Sequence, residues 1–280
     1  MEMALWQALL LGIVEGITEF LPVSSTGHLT IVEQLLNIDI EDPAVTAYTA
    51  IIQVGAIAAA IIYFWRDIVR IVTAFARGAV SRDARQGGEW RLSTAVVVGS
   101  IPIAVVGLAF KDIIEGPFRS LWVVAIGLIG WSAVMVFAER AATQQRDERD
   151  VRLKDGLIIG MVQIFSLIPG VSRSGATISA GLLRDIDRVT ATRLSFFLGI
   201  PALTAAGLLE AVTLREEITA TVGWIPTIVG TVVSFVVAYA SIAWLLRFVS
   251  RHSIIPFVWY RVGLGTLLIV ALTTGALQPH

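Results

Sequence analysis

Two acidic residues, Glu15 and Glu19, lie in a stretch of sequence that is otherwise almost entirely apolar. Because they are spaced i, i+4, both carboxylates project from the same face of a helix. Like charges in an apolar setting repel each other, so either one carboxylate is protonated or a cation lies between them. Hard divalent ions such as magnesium or calcium prefer carboxylate oxygens. The pair predicts a divalent-cation site, the alternative being snorkelling or proton-relay carboxylates.

Hydroxyl groups follow where Pro22 ends this helix, on Ser24, Ser25 and Thr26, and His28 comes directly after them. A hydroxyl beside an imidazole can supply both a nucleophile and a proton shuttle. His28 is the only histidine outside the last 29 residues, and we interpret it as functional. Ser24 is as well suited to cap the next helix as to take part in chemistry.

A second polar segment, Pro169-Gly-Val-Ser-Arg-Ser-Gly-Ala-Thr177, is typical of a helix break followed by a new helix start. Amides at a helix N-terminus, flanked by hydroxyls and a guanidinium, form a site for an anion such as phosphate. Arg173 is the only charged residue in the range 156–183, so it requires a partner. That partner is a substrate phosphate, which the neighbouring hydroxyls favour, a carboxylate of the acidic pair, or a purely structural ion pair.

The two segments complement each other, because the acidic pair requires a cation and the arginine segment requires an anion. A metal-bound phosphate in one cavity satisfies both, which predicts phosphoryl chemistry on a substrate reached from within a membrane. Gln53 and Arg261 also interrupt apolar segments. Arg261 either approaches the phosphate or holds a helix end near the basic side.

Composition excludes a water-soluble globule, since 56% of the residues are hydrophobic, 15% are charged and the mean hydropathy is +0.79. A net charge of -1 argues against a nucleic-acid binder, and the absence of cysteine excludes thiolate chemistry. A bilayer core requires about 20 apolar residues in a helix. The runs predicted to span the membrane are 43–65, 92–110, 120–138, 194–209 continuing past Glu210, 218–246 and 253–279.

Two further apolar stretches, 3–36 and 156–183, are interrupted by charges, prolines and Ser/Gly clusters. Irregular backbone at membrane depth is stable only where protein or a wet cavity encloses it, so both stretches are predicted to be re-entrant helix pairs. Basic residues concentrate in four connections, which predicts that these lie in the cytoplasm and that both chain ends and the site face outward. The connections are 66–91, 140–154, 184–193 and 247–251.

An internal repeat relates the two polar segments. The shift that places Gly12 on Gly160 also aligns Val23-Ser-Ser-Thr-Gly27 with Val171-Ser-Arg-Ser-Gly175. Each block opens a re-entrant pair followed by three spans, and an odd number of spans inverts the second copy. We therefore predict a single all-α membrane domain over 1–280, with repeat one at 1–139, a loop at 140–155 and repeat two at 156–280. The alternative is convergent Gly/Ser-rich helix packing.

The segments Glu15-Gly-Ile-Thr-Glu-Phe-Leu-Pro-Val-Ser-Ser-Thr-Gly-His28 and Pro169–Thr177 resemble the two signature motifs of the undecaprenyl pyrophosphate phosphatase family of the bacitracin-resistance type. The likeness extends through nearly the whole chain, including Gln53-Val-Gly and Ile255-Pro-Phe-Val-Trp-Tyr-Arg261. Both motifs are long and unusual in composition, and the sequence departs from neither.

The resemblance implies an integral membrane hydrolase that removes the terminal phosphate of undecaprenyl diphosphate, which recycles the lipid carrier and confers bacitracin resistance. It also implies inverted repeats, a divalent cation and a homodimer. Carried over by position, Glu15 and Glu19 bind the metal and the diphosphate. The residues assigned to phosphate binding are Ser24, Thr26, Ser172, Arg173, Ser174 and Thr177, with Gln53 and Arg261 as accessory residues. The nucleophile is either Ser25, with His28 as its base, or His28 itself; we favour Ser25 because it lies beside the acidic pair.

A secondary transporter or lipid flippase is the alternative function, because inverted repeats with broken helices are also transporter architecture. A transporter has no need of a nucleophile. The pairing of Ser25 with His28 therefore favours the hydrolase.

Overall fold

The chain is built from helices throughout the residues that the structure, a computed structural model, describes: 3–40, 42–110, 120–213 and 222–279. One isolated bridge, between Arg146 and Ile186, is the only extended pairing in these ranges. The α-helices are α1 (Leu5–Thr18), α2 (Ser25–Leu35), α3 (Pro43–Tyr63), α4 (Trp65–Val80), α5 (Gly88–Ala109), α6 (Leu121–Ala141), α7 (Leu153–Gln163), α8 (Arg173–Leu182), α9 (Arg188–Thr213), α10 (Trp224–Val249) and α11 (Ile255–Thr273).

Six of the described helices, α3, α5, α6, α9, α10 and α11, are long and apolar enough to cross a bilayer. They match the six predicted runs, so the prediction of an all-helical, multi-span membrane protein is confirmed. Helix α9 begins at Arg188 rather than at 194 because the arginines of its first turns pair with acidic side chains. Positions 218–221 of the fifth predicted run, and the chain ends at 1–2 and 280, lie outside the described residues.

Helix α4 was not predicted, because it lies in the basic connection 66–91 and the search was for runs without charge. Its apolar residues recur at helical spacing, which is the signal of an amphipathic helix. Ile71 is buried and Ile68 packs against the core, whereas Val69 and Val72 are exposed. One face of α4 thus covers the core next to α5.

The basic connections meet at one end of the molecule, where ion pairs join them. Arg193 bridges Asp67 at 2.8 Å and Glu148 at 3.1 Å. A second group centres on Asp155, which accepts hydrogen bonds from Arg146 and Arg184. We call this the arginine-rich end; it comprises Asp67, Arg70, Glu139, Arg146, Glu148, Asp155, Arg184, Arg188 and Arg193. These contacts place three of the four predicted connections, 66–91, 140–154 and 184–193, at one end of the molecule; the ion pairs found among the described residues do not extend to 247–251.

Helices from the early and late parts of the chain are interleaved. Helices α1 and α3 pack on α10, α7 packs on α5, and α6 packs on α11. Helix α8 packs on α9. In the breaks that follow α1 and α7, Pro22–Ser24 and Pro169–Ser172 are buried. The two polar segments of the sequence therefore meet inside the helical bundle.

Candidate active site

The first polar segment forms a tight turn between α1 and α2. Ser24 has a φ of 77°, a left-handed conformation that residues with a side chain rarely adopt. Its Oγ accepts a hydrogen bond from the amide of Gly27 at 3.4 Å, so Ser24 caps α2. The same Oγ accepts a hydrogen bond from the amide of Gly170 at 3.2 Å. The cap predicted as one role of Ser24 is thus present, and it also joins this turn to the second segment.

The second polar segment repeats this geometry before α8. Ser172 has a φ of 74°, and its Oγ accepts a hydrogen bond from the amide of Gly175 at 3.2 Å. Two residues earlier, Gly170 has a φ of +90° and its backbone lies directly against Val124 of α6, where a Cβ would not fit. The positions that the internal repeat aligns therefore share one backbone conformation. We refer to Pro22–Gly27 as the first turn and to Pro169–Gly175 as the second turn.

A cavity of about 290 Å³ lies where the two turns meet. Hydroxyls of Thr30, Thr46 and Thr49 contribute to its wall. The predicted site residues that line it are Glu15, Glu19, Ser24, Ser25, Thr26, Gln53, Ser172 and Arg173. Both halves of the sequence thus contribute to one polar cavity.

Glu19 is the centre of the hydrogen bonds in this cavity. Ser25 Oγ donates to Glu19 Oε2 at 2.7 Å, and Gln53 Nε2 donates to the same oxygen at 3.4 Å. The other oxygen, Oε1, accepts a hydrogen bond from Arg173 Nη2 at 3.1 Å. Both side chains of this ion pair are more than nine-tenths buried. A carboxylate that accepts the proton of a serine hydroxyl is placed to act as its base.

Arg173 is held by contacts from several elements. Its Nη1 donates to the carbonyl oxygen of Ser195 at 2.9 Å, and its guanidinium lies 5.9 Å from the ring centre of Phe20. Gly199 of α9 faces the guanidinium so closely that a Cβ there would overlap it. The Nε of Arg173 is buried and makes no hydrogen bond to any described residue.

Glu15 is a carboxylate that could bind a metal ion. It is almost fully buried, it lines the cavity, and its Oε1 makes no hydrogen bond among the residues described. In the described part of the chain, no group of three or more His, Asp or Glu side chains is placed to hold a metal. Magnesium is usually bound by one or two carboxylates together with phosphate oxygens of the substrate, not by an all-protein cage. Glu15, one helical turn from Glu19, fits an ion of that kind.

His28 is placed differently from the prediction that it is the base for Ser25. Its Nδ1 lies 2.7 Å from the carbonyl oxygen of Ser24, and its Nε2 lies 2.6 Å from the hydroxyl of Tyr260. Both ring nitrogens are therefore occupied, and His28 is not among the residues that line the cavity. The structure does not bring His28 and Ser25 together; Glu19 is the group that contacts Ser25.

Three further predicted phosphate or accessory residues lie outside the cavity wall. Ser174 is fully buried and donates to the carbonyl oxygen of Leu21 at 2.9 Å, and Thr177 donates to the carbonyl oxygen of Arg173 at 2.8 Å. Arg261 is also fully buried, and its contacts are structural, although they are made with the turns and α6 and not with a helix end near the basic side. It donates to the side chain of Ser132 and to the carbonyl oxygens of Pro22, Gly127, Leu128, Gly170 and Val171. These bonds hold the turns instead of facing the cavity.

Sequence reasoning missed Tyr260, Ser195 and Gly199, which all contact site residues. Tyr260 lies in a segment that resembles the family, but it lacks the charge or helix break that identified the other residues. Ser195 contributes only its carbonyl oxygen, and Gly199 only the space that it leaves. Neither contribution has a signal in a single sequence.

Comparison with known proteins identifies the family of this chain. The sequence model of the family described as bacitracin resistance protein BacA matches residues 8–267. Undecaprenyl-diphosphatase 3 of Frankia casuarinae is 56% identical over 269 residues, which cover 96% of this chain and 97% of that protein. Undecaprenyl-diphosphatase of Cutibacterium acnes is 56% identical over 94% of this chain and 95% of its own length, and that of Myxococcus xanthus is 46% identical over 99% and 92%. Because the match covers both turns and nearly the whole chain, the chain belongs to the family of bacitracin resistance protein BacA.

Proposed function

We propose that the protein hydrolyses undecaprenyl diphosphate to inorganic phosphate and undecaprenyl monophosphate. The observation that carries this proposal is the contact chain in one buried cavity, in which Ser25 donates to Glu19 and Glu19 pairs with Arg173. The reaction recycles a lipid carrier for cell-envelope synthesis and so confers bacitracin resistance. The undecaprenyl chain is inferred from the names of the relatives, which also favour hydrolysis over transport.

Ser25 is the nucleophile in this proposal, and Glu19 is its base. Glu19 takes the Ser25 proton as Oγ bonds to the terminal phosphorus, and the proton passes to the bridging oxygen as the bond from phosphorus to that oxygen breaks. Undecaprenyl monophosphate leaves at this step. Water then attacks the phosphoserine with Glu19 again as base, and the proton returns to Ser25 Oγ as phosphate leaves.

Arg173 balances the negative charge of the reacting phosphate. Its Nε is the donor left over by its bonds to Glu19 and Ser195. The hydroxyls of Ser24, Thr26 and Ser172, at the start of α2 and α8, line the same cavity and bind phosphate oxygens. A magnesium or calcium ion, held by Glu15 and Glu19, supplies further charge neutralisation when bound. Ser174, Thr177 and Arg261 hold the turns that present these groups, and Gln53 orients Glu19.

The site is proposed to lie between two inverted repeats, 1–139 and 156–280, each opening with a re-entrant pair. The support is reciprocal packing, since α1 of the first half contacts α10 of the second and α7 of the second contacts α5 of the first. The matching φ of Ser24 and Ser172 gives further support. By the distribution of arginine, the arginine-rich end faces the cytoplasm, and the site and the chain ends face the outside of the cell membrane. We also propose that the protein forms a homodimer, as the family resemblance implies.

Phosphate release from a polyprenyl diphosphate in detergent, with magnesium or calcium, tests the proposal. We expect release by the wild-type protein, loss of activity on chelation, and a fall of at least about 10²-fold in Arg173→Ala. Arg247→Ala, at an exposed position of α10, is the matched control and is expected to retain activity. Undiminished release by Arg173→Ala would overturn the composite site, and no release by the wild-type protein would overturn the function.

A further inference from the structure

Tyr260 of α11 contacts the first turn through His28. Its hydroxyl lies 2.6 Å from His28 Nε2, and the two rings are nearly parallel, with an interplanar angle of 10°. His28 Nδ1 lies 2.7 Å from the carbonyl oxygen of Ser24. A continuous set of hydrogen bonds therefore runs from α11 to the backbone immediately before Ser25.

The direction of these hydrogen bonds follows from their acceptors. A carbonyl oxygen only accepts, so the proton of the neutral imidazole lies on Nδ1 and is donated to Ser24. Nε2 then carries the lone pair and accepts the proton of the Tyr260 hydroxyl. The Ser24 carbonyl oxygen thus fixes the tautomer of His28, and Tyr260 fixes the orientation of the ring, in the way that second-layer groups orient functional histidines.

The backbone that His28 holds is the strained part of the first turn. The Ser24 carbonyl oxygen accepts hydrogen bonds from the backbone amide of His28, at 3.2 Å, and from its Nδ1. Ser24 has a φ of 77°, so its conformation depends on the contacts around it. The next residue is Ser25, whose Oγ must point at Glu19. Loss of the Nδ1 bond would free the peptide that aims this hydroxyl.

Arg261, the residue after Tyr260, holds the same region from the other side. It donates to the carbonyl oxygen of Pro22 at 3.1 Å in the first turn, and to that of Gly170 at 2.8 Å in the second. Successive residues of α11 therefore contact both turns.

We propose that Tyr260 and His28 are positioning residues that hold the Ser24–Ser25 peptide for attack, and that His28 is neither the nucleophile nor the base. This inference rests on the proposed function, because it assigns roles within that reaction. It explains why His28 contacts backbone and Tyr260 while Glu19 contacts the hydroxyl of Ser25.

Steady-state phosphate release by His28→Ala, His28→Asn and Tyr260→Phe tests the assignment. We expect His28→Ala to lower kcat by at least about 10²-fold with little change in KM, because the nucleophile is misaligned. His28→Asn retains an N–H close to the position of Nδ1 but has no group that can take a proton or attack phosphorus. It is expected to recover at least about a tenth of the wild-type kcat. Tyr260→Phe is expected to lower kcat by about tenfold.

Trp259→Phe is the matched control, since Trp259 is the exposed neighbour of Tyr260 and makes no contact with the turns among the described interactions. It is expected to behave as the wild type. His28→Asn as inactive as His28→Ala, in protein that unfolds at the wild-type temperature, would overturn the assignment. Wild-type kcat in Tyr260→Phe would also overturn it, and that variant removes only one oxygen atom. Failure of the wild-type protein itself to release phosphate would instead overturn the proposed function, and with it this inference.

Discussion

The two turns have the same backbone and different chemistry. Ser24 and Ser172 have φ values of 77° and 74°, and each caps its helix through the amide three residues later. The residue that follows each serine differs, with Ser25 in the first turn and Arg173 in the second. The same backbone conformation thus presents a serine hydroxyl to the cavity from one turn and a guanidinium from the other.

The residues that precede the two turns also differ in charge. The internal repeat aligns Glu15 of α1 with Gln163 of α7, so the second half lacks the negative charge at this position. In the proposed repeat, the two halves therefore share a backbone conformation and divide the charges between them. Neither turn holds a complete site, so activity requires contact between them.

Glu19 contacts both turns, through Ser25 and Arg173, and its substitution is expected to have a large effect on activity. Glu19→Gln keeps the size of the side chain but removes the base for Ser25 and the ionic partner of Arg173. We expect kcat to fall by about 10²–10⁴-fold in an assay of phosphate release. Glu89→Gln, at an exposed position of α5, is the control. Activity within a few-fold of wild type would mean that the first turn does not depend on this carboxylate.

Gly199 tests the second turn alone. Any side chain there meets the guanidinium of Arg173, so Gly199→Ala must displace it without changing any residue of the first turn. We expect phosphate release to fall by about 10-fold to 10²-fold, because misplacement of a charged group by about 1 Å has effects of this size. Gly263→Ala, where a Cβ meets open space, serves as the control. Unchanged activity in Gly199→Ala would show that the position of Arg173 is not critical.

The two caps are expected to differ in their effect on activity although they are alike in geometry. Ser24 Oγ accepts hydrogen bonds from Gly27 and from Gly170, so Ser24→Ala loosens the contact between the turns as well as the cap. Arg173, next to Ser172, is also held by Glu19 and Ser195. Each Ser→Ala change should lower the free energy of unfolding by about 1 kcal/mol. Ser24→Ala should lower kcat roughly fivefold more than Ser172→Ala, and the reverse order in parallel assays would contradict this ranking.

Substitution of Asp155 at the arginine-rich end is expected to have the smallest effect on activity. Burial by itself raises the pKa of Asp155, but hydrogen bonds from Arg146, the Arg152 amide and Arg184 outweigh it, so this pKa lies below its ordinary value. The ionised form therefore stabilises the fold at neutral pH, and the contribution is lost as the pH falls through the folded-state pKa. Asp155→Asn should lower the free energy of unfolding by about 2 kcal/mol at pH 7, because its partners are only partly buried.

Thermal unfolding in detergent at neutral and acidic pH measures this effect. The difference in unfolding temperature between Asp155→Asn and the wild type should become smaller as the pH falls below about 4. The kcat of the folded variant should stay at the wild-type value. A large loss of kcat in the folded variant would mean that the turns are coupled to the arginine-rich end.

Much of this arrangement could be predicted from the sequence because its signals are local. Runs without charge predicted the six spans, and the combination of proline, glycine and serine predicted both turns. Glu19 and Arg173 were identified because charges are rare in such segments. Helix α4 was missed because its amphipathic pattern is also local but contains arginines.

The remaining features depend on packing between distant parts of the chain. His28 and Tyr260 are 232 residues apart, and no local pattern indicates that the imidazole contacts Tyr260 rather than Ser25. Arg261 was open to two interpretations because only the fold shows that carbonyl oxygens surround its guanidinium. Backbone acceptors and close approaches carry no sequence signature, so their contribution was found only in the structure.

The rate of phosphate release by Ser25→Ala, at saturating polyprenyl diphosphate and magnesium, tests the central claim most directly. If Ser25 attacks the terminal phosphorus, kcat should fall by at least about 10³-fold while the protein remains folded. The kcat of Thr26→Ala, which removes the neighbouring hydroxyl in the same cavity, should fall far less. A Ser25→Ala variant that releases phosphate at a rate near that of the wild type would contradict the account.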